Sequence, residues 1–268
     1  MKNLILLSSL IVLFFASCSK NDTEEPIVQP VKPQDPGLLL KSVTTTTNNV
    51  YTFEYDGKKL KKKTFRSTND LNTGYYELFT YNGDLITKIS VFNLADDAKT
   101  NEIVFTYDSQ NNLIACKDSK TNNVRNFKDF YQFSVSYSEG DRYGEVYLNN
   151  NVVVGENRRY YSASNFHFDY LFDYDEDRSV SKNVVGIDKI QYSGYSVFGD
   201  IFGFQFDSPN NLTTIKYKPT DSGVATGNGF TTKFIYTYNE FGYPKTCKKM
   251  KTPTSGTVVT TYYTYEYY

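Results

Sequence analysis

The sequence predicts an all-β fold: an antiparallel meander of repeated β-hairpins, closed or strongly curled into a soluble barrel of about 12–16 strands. Three observations predict it. An aromatic-x-Tyr pair recurs along the chain, and a turn-forming Asp, Asn or Gly follows directly. Beyond the first segment, no apolar stripe repeats at helical spacing.

The first element stands outside the fold. In "MKNLILLSSLIVLFFASC", Lys2 gives a positive end and residues 4–16 form an apolar run too short to span a bilayer comfortably. Ala16 and Ser17 then precede Cys18. The arrangement resembles a bacterial lipoprotein signal, with Phe15 where Leu is usual. That resemblance implies removal of residues 1–17 and lipidation of Cys18. Residues 18–37 read as a tether, because Pro26, Pro30, Pro33 and Pro36 in a polar context favour an extended spacer. Asp22, Glu24 and Glu25 resemble the export signal that sends Bacteroidota lipoproteins to the cell surface. Residues 38–268 read as a single hairpin-repeat domain.

That domain opens on "LLLKSVTTTT", a strand, and then repeats. The pairs are Phe53/Tyr55, Phe79/Tyr81, Phe105/Tyr107, Tyr236/Tyr238 and Tyr263/Tyr265, the first three tyrosines 26 residues apart. Alternation places each pair on one strand face and Glu54, Thr80, Thr106 or Thr237 on the other. Asp56-Gly57, Asn82-Gly83, Asp108-Ser109 and the Asn239-to-Gly242 segment follow, residue types that tolerate the positive φ of tight turns. A new run begins at Leu60, Leu85, Leu113 or Tyr243, so one period covers two strands. These Tyr-Asp/Asn turns with Gly and a following Leu resemble the tyrosine-aspartate (Rhs-type) repeats of bacterial surface proteins. The whole arrangement also resembles a Bacteroidota lipoprotein family with a porin-like fold. The likeness implies a barrel at the cell envelope and brings no catalytic residues.

From about Asp118 to Thr232 the pattern loosens. "FYQFSVSYSEGDRYGEVYLN" reads as a hairpin and "FHFDYLFDYDEDRS" as a strand ending in an acidic turn. "GYSVFGDIFGFQFDSPNNLTTIKYK" reads as another strand pair, with Asp207, Ser208, Pro209 and Asn210 at its corner. The chain stops on the strand "TVVTTYYTYEYY", and closure of the first strand on the last would hide both edges. A lipid anchor would be redundant for a membrane-spanning barrel, and lysines such as Lys61 and Lys63 sit inside strand runs. Both points favour a barrel in water.

Chemistry is harder to find. His167 is the single histidine; Asp169 shares its strand face, and no nucleophile motif accompanies them. Asp173 to Asp177 has calcium-loop spacing, but Arg178 and Val184 stand where such a loop needs Gly and Glu. Lys58, Lys59 and Lys61–Lys63 form a basic cluster, read as a solvated edge that blocks stray strand pairing. Cys116 and Cys247 occupy equivalent repeat positions and read as unpaired, partly buried thiols. The repeat tyrosines read as core rather than as a ligand platform.

With 29 basic and 30 acidic residues, charge gives no nucleic-acid footprint. No cofactor or metal motif is present. The expectation is a lipid-anchored protein of the outer membrane, on its periplasmic side or at the cell surface, acting as a non-catalytic binding or scaffolding module. Its partners are the membrane, through the N-terminal lipid, and a glycan or envelope protein. Capture of a glycan or small ligand in an aromatic-lined barrel mouth is the alternative, and a carboxylate-dependent hydrolase a weaker one.

Overall fold

Alternating aromatic and polar residues give long antiparallel strands, and the turn residues set where each ends. The computed structural model describes residues 34–67, 70–131, 134–150, 152–160, 163–198, 207–221, 224–225 and 229–268. They belong to one compact unit, Pro33–Tyr268. The first repeats form β1 (Leu40–Thr45), β2 (Asn49–Asp56), β3 (Lys59–Ser67), β4 (Asp70–Asn82), β5 (Leu85–Asn93), β6 (Lys99–Tyr107) and β7 (Leu113–Asp118). The looser middle forms β8 (Val124–Phe130), β9 (Ser134–Glu139), β10 (Arg142–Asn149), β11 (Val152–Tyr160) and β12 (Ala163–Arg178), then helix α1 (Ile187–Ile190). After it come β13 (Asn210–Asp221), β14 (Val224–Ala225), β15 (Phe230–Tyr238), β16 (Pro244–Pro253) and β17 (Val259–Tyr267).

Neighbouring strands pair antiparallel all the way round, and β17 pairs with β1. The ring closes on 16 strands, with β14 lying beside β13. Closure leaves no sheet edge to template stray pairing. Strand direction alternates, so the turns after β2, β4, β6 and β15, which carry the repeat motif, gather at one end of the barrel. The start of β1 and the end of β17 lie at that same end, joined where the Tyr268 amide donates to the Leu39 carbonyl at 3.0 Å.

The wall is mostly apolar inside and mostly polar outside, with Leu78, Leu171, Ile235 and Tyr262 as exposed apolar exceptions. Phe53, Leu60, Phe79, Ile89, Phe105, Phe234 and Tyr265 are buried. Thr52, Glu54, Thr80, Lys128, Asp173 and Lys216, on the opposite faces of their strands, are exposed. A barrel embedded in lipid has the reverse arrangement.

Three expectations are corrected. β12 runs through the acidic stretch to Arg178 instead of turning there, because Asp175 lies on the strand and accepts from the Asn211 amide at 3.1 Å. The strand expected before Asp207 is absent at residues 194–198, and its remainder, 199–206, lies outside the described residues. Asp207 is buried and binds the backbone of residues 197 and 198. The lysine cluster does not guard an edge, since β3 lies between β2 and β4 in a closed ring and Lys63 points into the core.

Candidate functional site

A ring of 16 strands is wide enough to leave a channel in porins. Here part of the chain enters its own interior, leaving hollows of about 400 and 740 Å³ beside it near the motif-turn end. From β12 the backbone turns inward at the motif-turn end, and residues 179–198 together with 207–209 form a plug before β13 begins. Val180, Val184, Ile187, Ile190, Val197 and Phe198 of this segment are buried. The plug rings meet those of the wall: Phe198 lies 5.4 Å from Phe53, Tyr195 6.4 Å from Phe105, and Tyr192 5.2 Å from Phe127.

Charged groups fasten the plug. The Lys63 ammonium lies 3.0 Å from Glu77 Oε2 and donates to the Val197 carbonyl at 2.8 Å. Tyr195 donates to the other Glu77 oxygen at 2.9 Å. A lysine that is 1 % exposed needs such partners, because a buried charge left alone costs several kcal/mol, on the order of 3–5. Asp207 accepts from Ser196 Oγ at 2.8 Å and from the Val197 and Phe198 amides at 2.9 and 3.3 Å. Burial pushes its carboxyl up to about 6, against the pull of those donors and of Lys63.

A second ionic group sits under β8–β11. Arg125 donates to Glu139 at 2.8 and 3.0 Å and lies 3.7 Å from Glu156. Glu156 also takes Arg158 at 3.0 Å and the Tyr137 hydroxyl at 2.7 Å. The plug leans on this group at Gly194, whose φ is +76 and where a Cβ would stand 2.4 Å from the Arg125 guanidinium. The positive φ favours glycine there, and a larger residue would also have to push the guanidinium aside.

The repeat residues have a shared geometry that spacing alone does not disclose. Four of the five motif tyrosines sit at a β-bulge, at Glu54/Tyr55, Thr80/Tyr81, Thr106/Tyr107 and Thr237/Tyr238, while Tyr265 lies in regular register. A bulge frees backbone groups from the ladder. The next repeat binds them: the Leu60 amide donates to the Tyr81 hydroxyl at 3.1 Å, and Tyr107 donates to the Ile86 carbonyl at 2.7 Å. Tyr236 does the same for the Leu212 carbonyl at 3.0 Å. At Leu113 the hydroxyl comes from the plug, where Tyr192 accepts from the Leu113 amide at 3.2 Å. Burial raises the Tyr81 and Tyr192 hydroxyls to about 12, so both stay protonated.

The turns divide their labour. Gly57 and Gly83 take the positive φ (+57 in both), while Asp56 and Asn82 end their strands. Asp108 and Asn239 each accept from two following amides, Gln110 and Asn112 in one case and Phe241 and Tyr243 in the other. Gly242 has a φ of +78.

The remaining sequence candidates scatter. Cys18 lies outside the described residues. Cys116 and Cys247 are free and buried, and burial raises both thiols to about 12. His167 and Asp169 face outward on β12 and meet at 3.2 Å between Nε2 and Oδ2. Asp169 therefore does reach the ring, although the two share a strand face. Its other oxygen binds Asn157 rather than a nucleophile. Asp175 is taken by Asn211 and Tyr238, while Asp173 faces Lys216 at 3.6 Å. Among the described residues, no three His, Cys, Asp or Glu gather for a metal. Of the lysines, Lys59 donates to the Gly83 carbonyl at 2.8 Å and Lys62 lies over the Tyr76 ring at 4.6 Å.

The plug and the ionic groups went unseen in the sequence. A signal was there, because residues 179–193 lack any aromatic-x-Tyr pair, but absence of a repeat does not say where the segment goes.

The class defined by this architecture is a closed antiparallel barrel with a polar wall and an interior occupied by its own chain. A solved structure shares the fold. The chain is similar to a porin-like protein from Bacteroides uniformis ATCC 8492, with a TM-score of 0.50 and 12% identity over 86% of this chain and 95% of that one. A porin-like protein from Bacteroides vulgatus ATCC 8482 matches with a TM-score of 0.41 and 12% identity, over 85% and 98% of the two chains. No protein-family model and no curated protein matches the sequence.

Proposed function

We propose that this chain is a lipid-anchored envelope protein whose plugged barrel serves as a rigid, non-catalytic binding or scaffolding module. The observation that carries the reading is the chain's own segment 179–198 occupying the lumen behind a charged wall. A pore needs an open lumen and a lipid-facing barrel an apolar exterior. Kinship with Bacteroidota porin-like lipoproteins is supported by the Tyr-turn repeat and by the fold likeness, and the Rhs-type resemblance by the Tyr-turn repeat alone.

The anchor would enter at a defined place. Tyr243 donates to Asp35 at 2.6 Å, Arg178 lies 3.4 Å from the same carboxylate, and Asn183 donates to the Leu38 carbonyl at 3.1 Å. The segment before β1 is thus bound at the motif-turn end. A lipid on Cys18 would turn that end toward the membrane and present the opposite rim outward. Metabolic labelling with a fatty acid, followed by fractionation, tests this. The native chain should take up label and sediment with membranes, and Cys18→Ala should do neither. Retention of the unlabelled Ala chain in the outer membrane after its residues 1–17 have been removed would sink the reading, because the wall itself would then be holding the protein in lipid.

A further inference from the structure

We propose that the outer wall of β8–β12 carries a binding site for a neutral oligosaccharide. The wall is bent here. Asp129 is a bulge residue with φ +53, between Lys128 and Phe130. At Gly144, β10 and β11 approach so closely that a Cβ would stand 2.0 Å from the Asn157 carbonyl. The bend leaves a hollow of about 360 Å³ over β8–β11, the size of a small-ligand site.

Outward residues cross the hollow in rungs. Tyr143 pairs with Arg159, which pairs with His167; one rung along, Glu145 pairs with Asn157, which pairs with Asp169. The rungs are wired together. Arg159 Nε donates to Asn157 Oδ1 at 2.9 Å, Asn157 Nδ2 donates to Asp169 Oδ1 at 2.6 Å, and His167 closes on Asp169 from the other side. Asn157 is only 7 % exposed, so the polar plane is set before any ligand arrives. A third rung adds the exposed Tyr147 and Leu171 on either side of Gly155, with the Tyr147 hydroxyl 3.4 Å from Glu145.

Three features select the ligand. In the lining Lys128 and Arg159 balance Asp129 and Glu145, and Asp169 beside them adds one negative charge, so nothing here attracts a polyanion. Guanidinium and carboxylate groups each present two parallel positions, which match adjacent hydroxyls on a sugar ring. Tyr143 in the lining and Tyr147 beside it supply rings with a polar handle. The hollow lies on the outside of the wall, away from the plug, and an inward platform of repeat tyrosines plays no part in it.

The site supplies the ligand class for the module proposed above and rests on that reading. Titration calorimetry of the full chain in detergent tests it, against neutral α- and β-linked hexose and pentose trisaccharides and against polygalacturonate. At least one neutral trisaccharide should bind. Arg159→Ala and Asp169→Asn should each weaken it tenfold or more, while Glu54→Gln on β2 leaves it unchanged and circular dichroism shows all three variants folded. Binding that survives both substitutions overturns the site. Heat from polygalacturonate alone overturns the ligand class, and silence from every neutral probe overturns the proposal entirely. None of these outcomes touches the Cys18 labelling result, so the anchor reading fails or stands separately.

Discussion

The repeat wall, β2–β7 with β15–β17, and the irregular wall, β8–β13, are held together by different physics. The repeat wall is stitched by short-range bonds. Tyr81 reaches Leu60 and Tyr107 reaches Ile86, each 21 residues away, and aromatic rings fill the space behind them. The irregular wall carries Arg125, Glu139, Glu156 and Arg158 beneath its strands and sends out the plug. The plug's bonds span the chain: 134 residues from Lys63 to Val197 and 118 from Glu77 to Tyr195. Both walls can be stabilised hairpin by hairpin, since Arg125 and Glu139 are only 14 residues apart, whereas the plug is held only once it meets β3 and β4.

The comparison can be broken most directly at Glu156. Glu156→Leu removes the partner of Arg158 and the acceptor of Tyr137, so urea unfolding should show a loss of about 3–5 kcal/mol. Replacing Arg158 by Met in the same chain should recover most of that loss. If Glu156→Leu costs less than about 1 kcal/mol, the irregular wall does not depend on its ions.

The plug should announce itself through pH. The folded Asp207 carboxyl, raised to about 6, keeps its proton to higher pH than the unfolded group at 3.8. Between about pH 4 and 6 the folded state therefore binds more protons, and this group's contribution to stability falls as pH rises, by on the order of 3 kcal/mol. Below that window the contribution is complete, and above it the curve is level. Measured across pH 4–7, the stability of the native chain relative to Asp207→Asn should decline through the window and then flatten; a constant difference would contradict the raised value.

The repeat wall offers a finer test with a built-in control. Tyr107→Phe leaves the Ile86 carbonyl without its donor and should cost about 1–2 kcal/mol. Tyr55 begins the series, and its buried hydroxyl has no hydrogen-bond partner among the described residues. Tyr55→Phe should therefore be neutral or slightly stabilising in thermal melts. Equal losses at the two positions would mean that the hydroxyls do not act as bulge ligands.

The smallest effect is kinetic. With both thiols raised to about 12, Cys116 and Cys247 should resist alkylation at pH 8 in the native state and react on unfolding. Rapid labelling of Cys247 alone would show that the repeat wall opens locally near β16.

The candidate sites were legible to different degrees for the same reason. Phe53, Tyr55 and their counterparts advertise themselves because alternation and turn chemistry act over a few residues. The hidden half of their role, binding the neighbouring repeat's bulge, depends on which strand lies alongside. Lys63 looks in sequence like Lys61 and Lys62, yet the bulge at Glu54/Tyr55 sets which of them points inward. Arg159, Asn157 and Asp169 carry no motif, and only the β10–β12 register brings them into one plane.

By itself the sequence determined the strand period, the hairpin repeat, the turns of the repeats and the economy of closing first strand on last. Those are consequences of local stereochemistry and of burying one face of each strand. The tertiary structure alone decided that the lumen is occupied, where residues 179–198 go, and which charges meet in the core. Contacts between residues more than a hundred positions apart leave no periodic trace in a chain, because their partners are chosen only after the ring has formed.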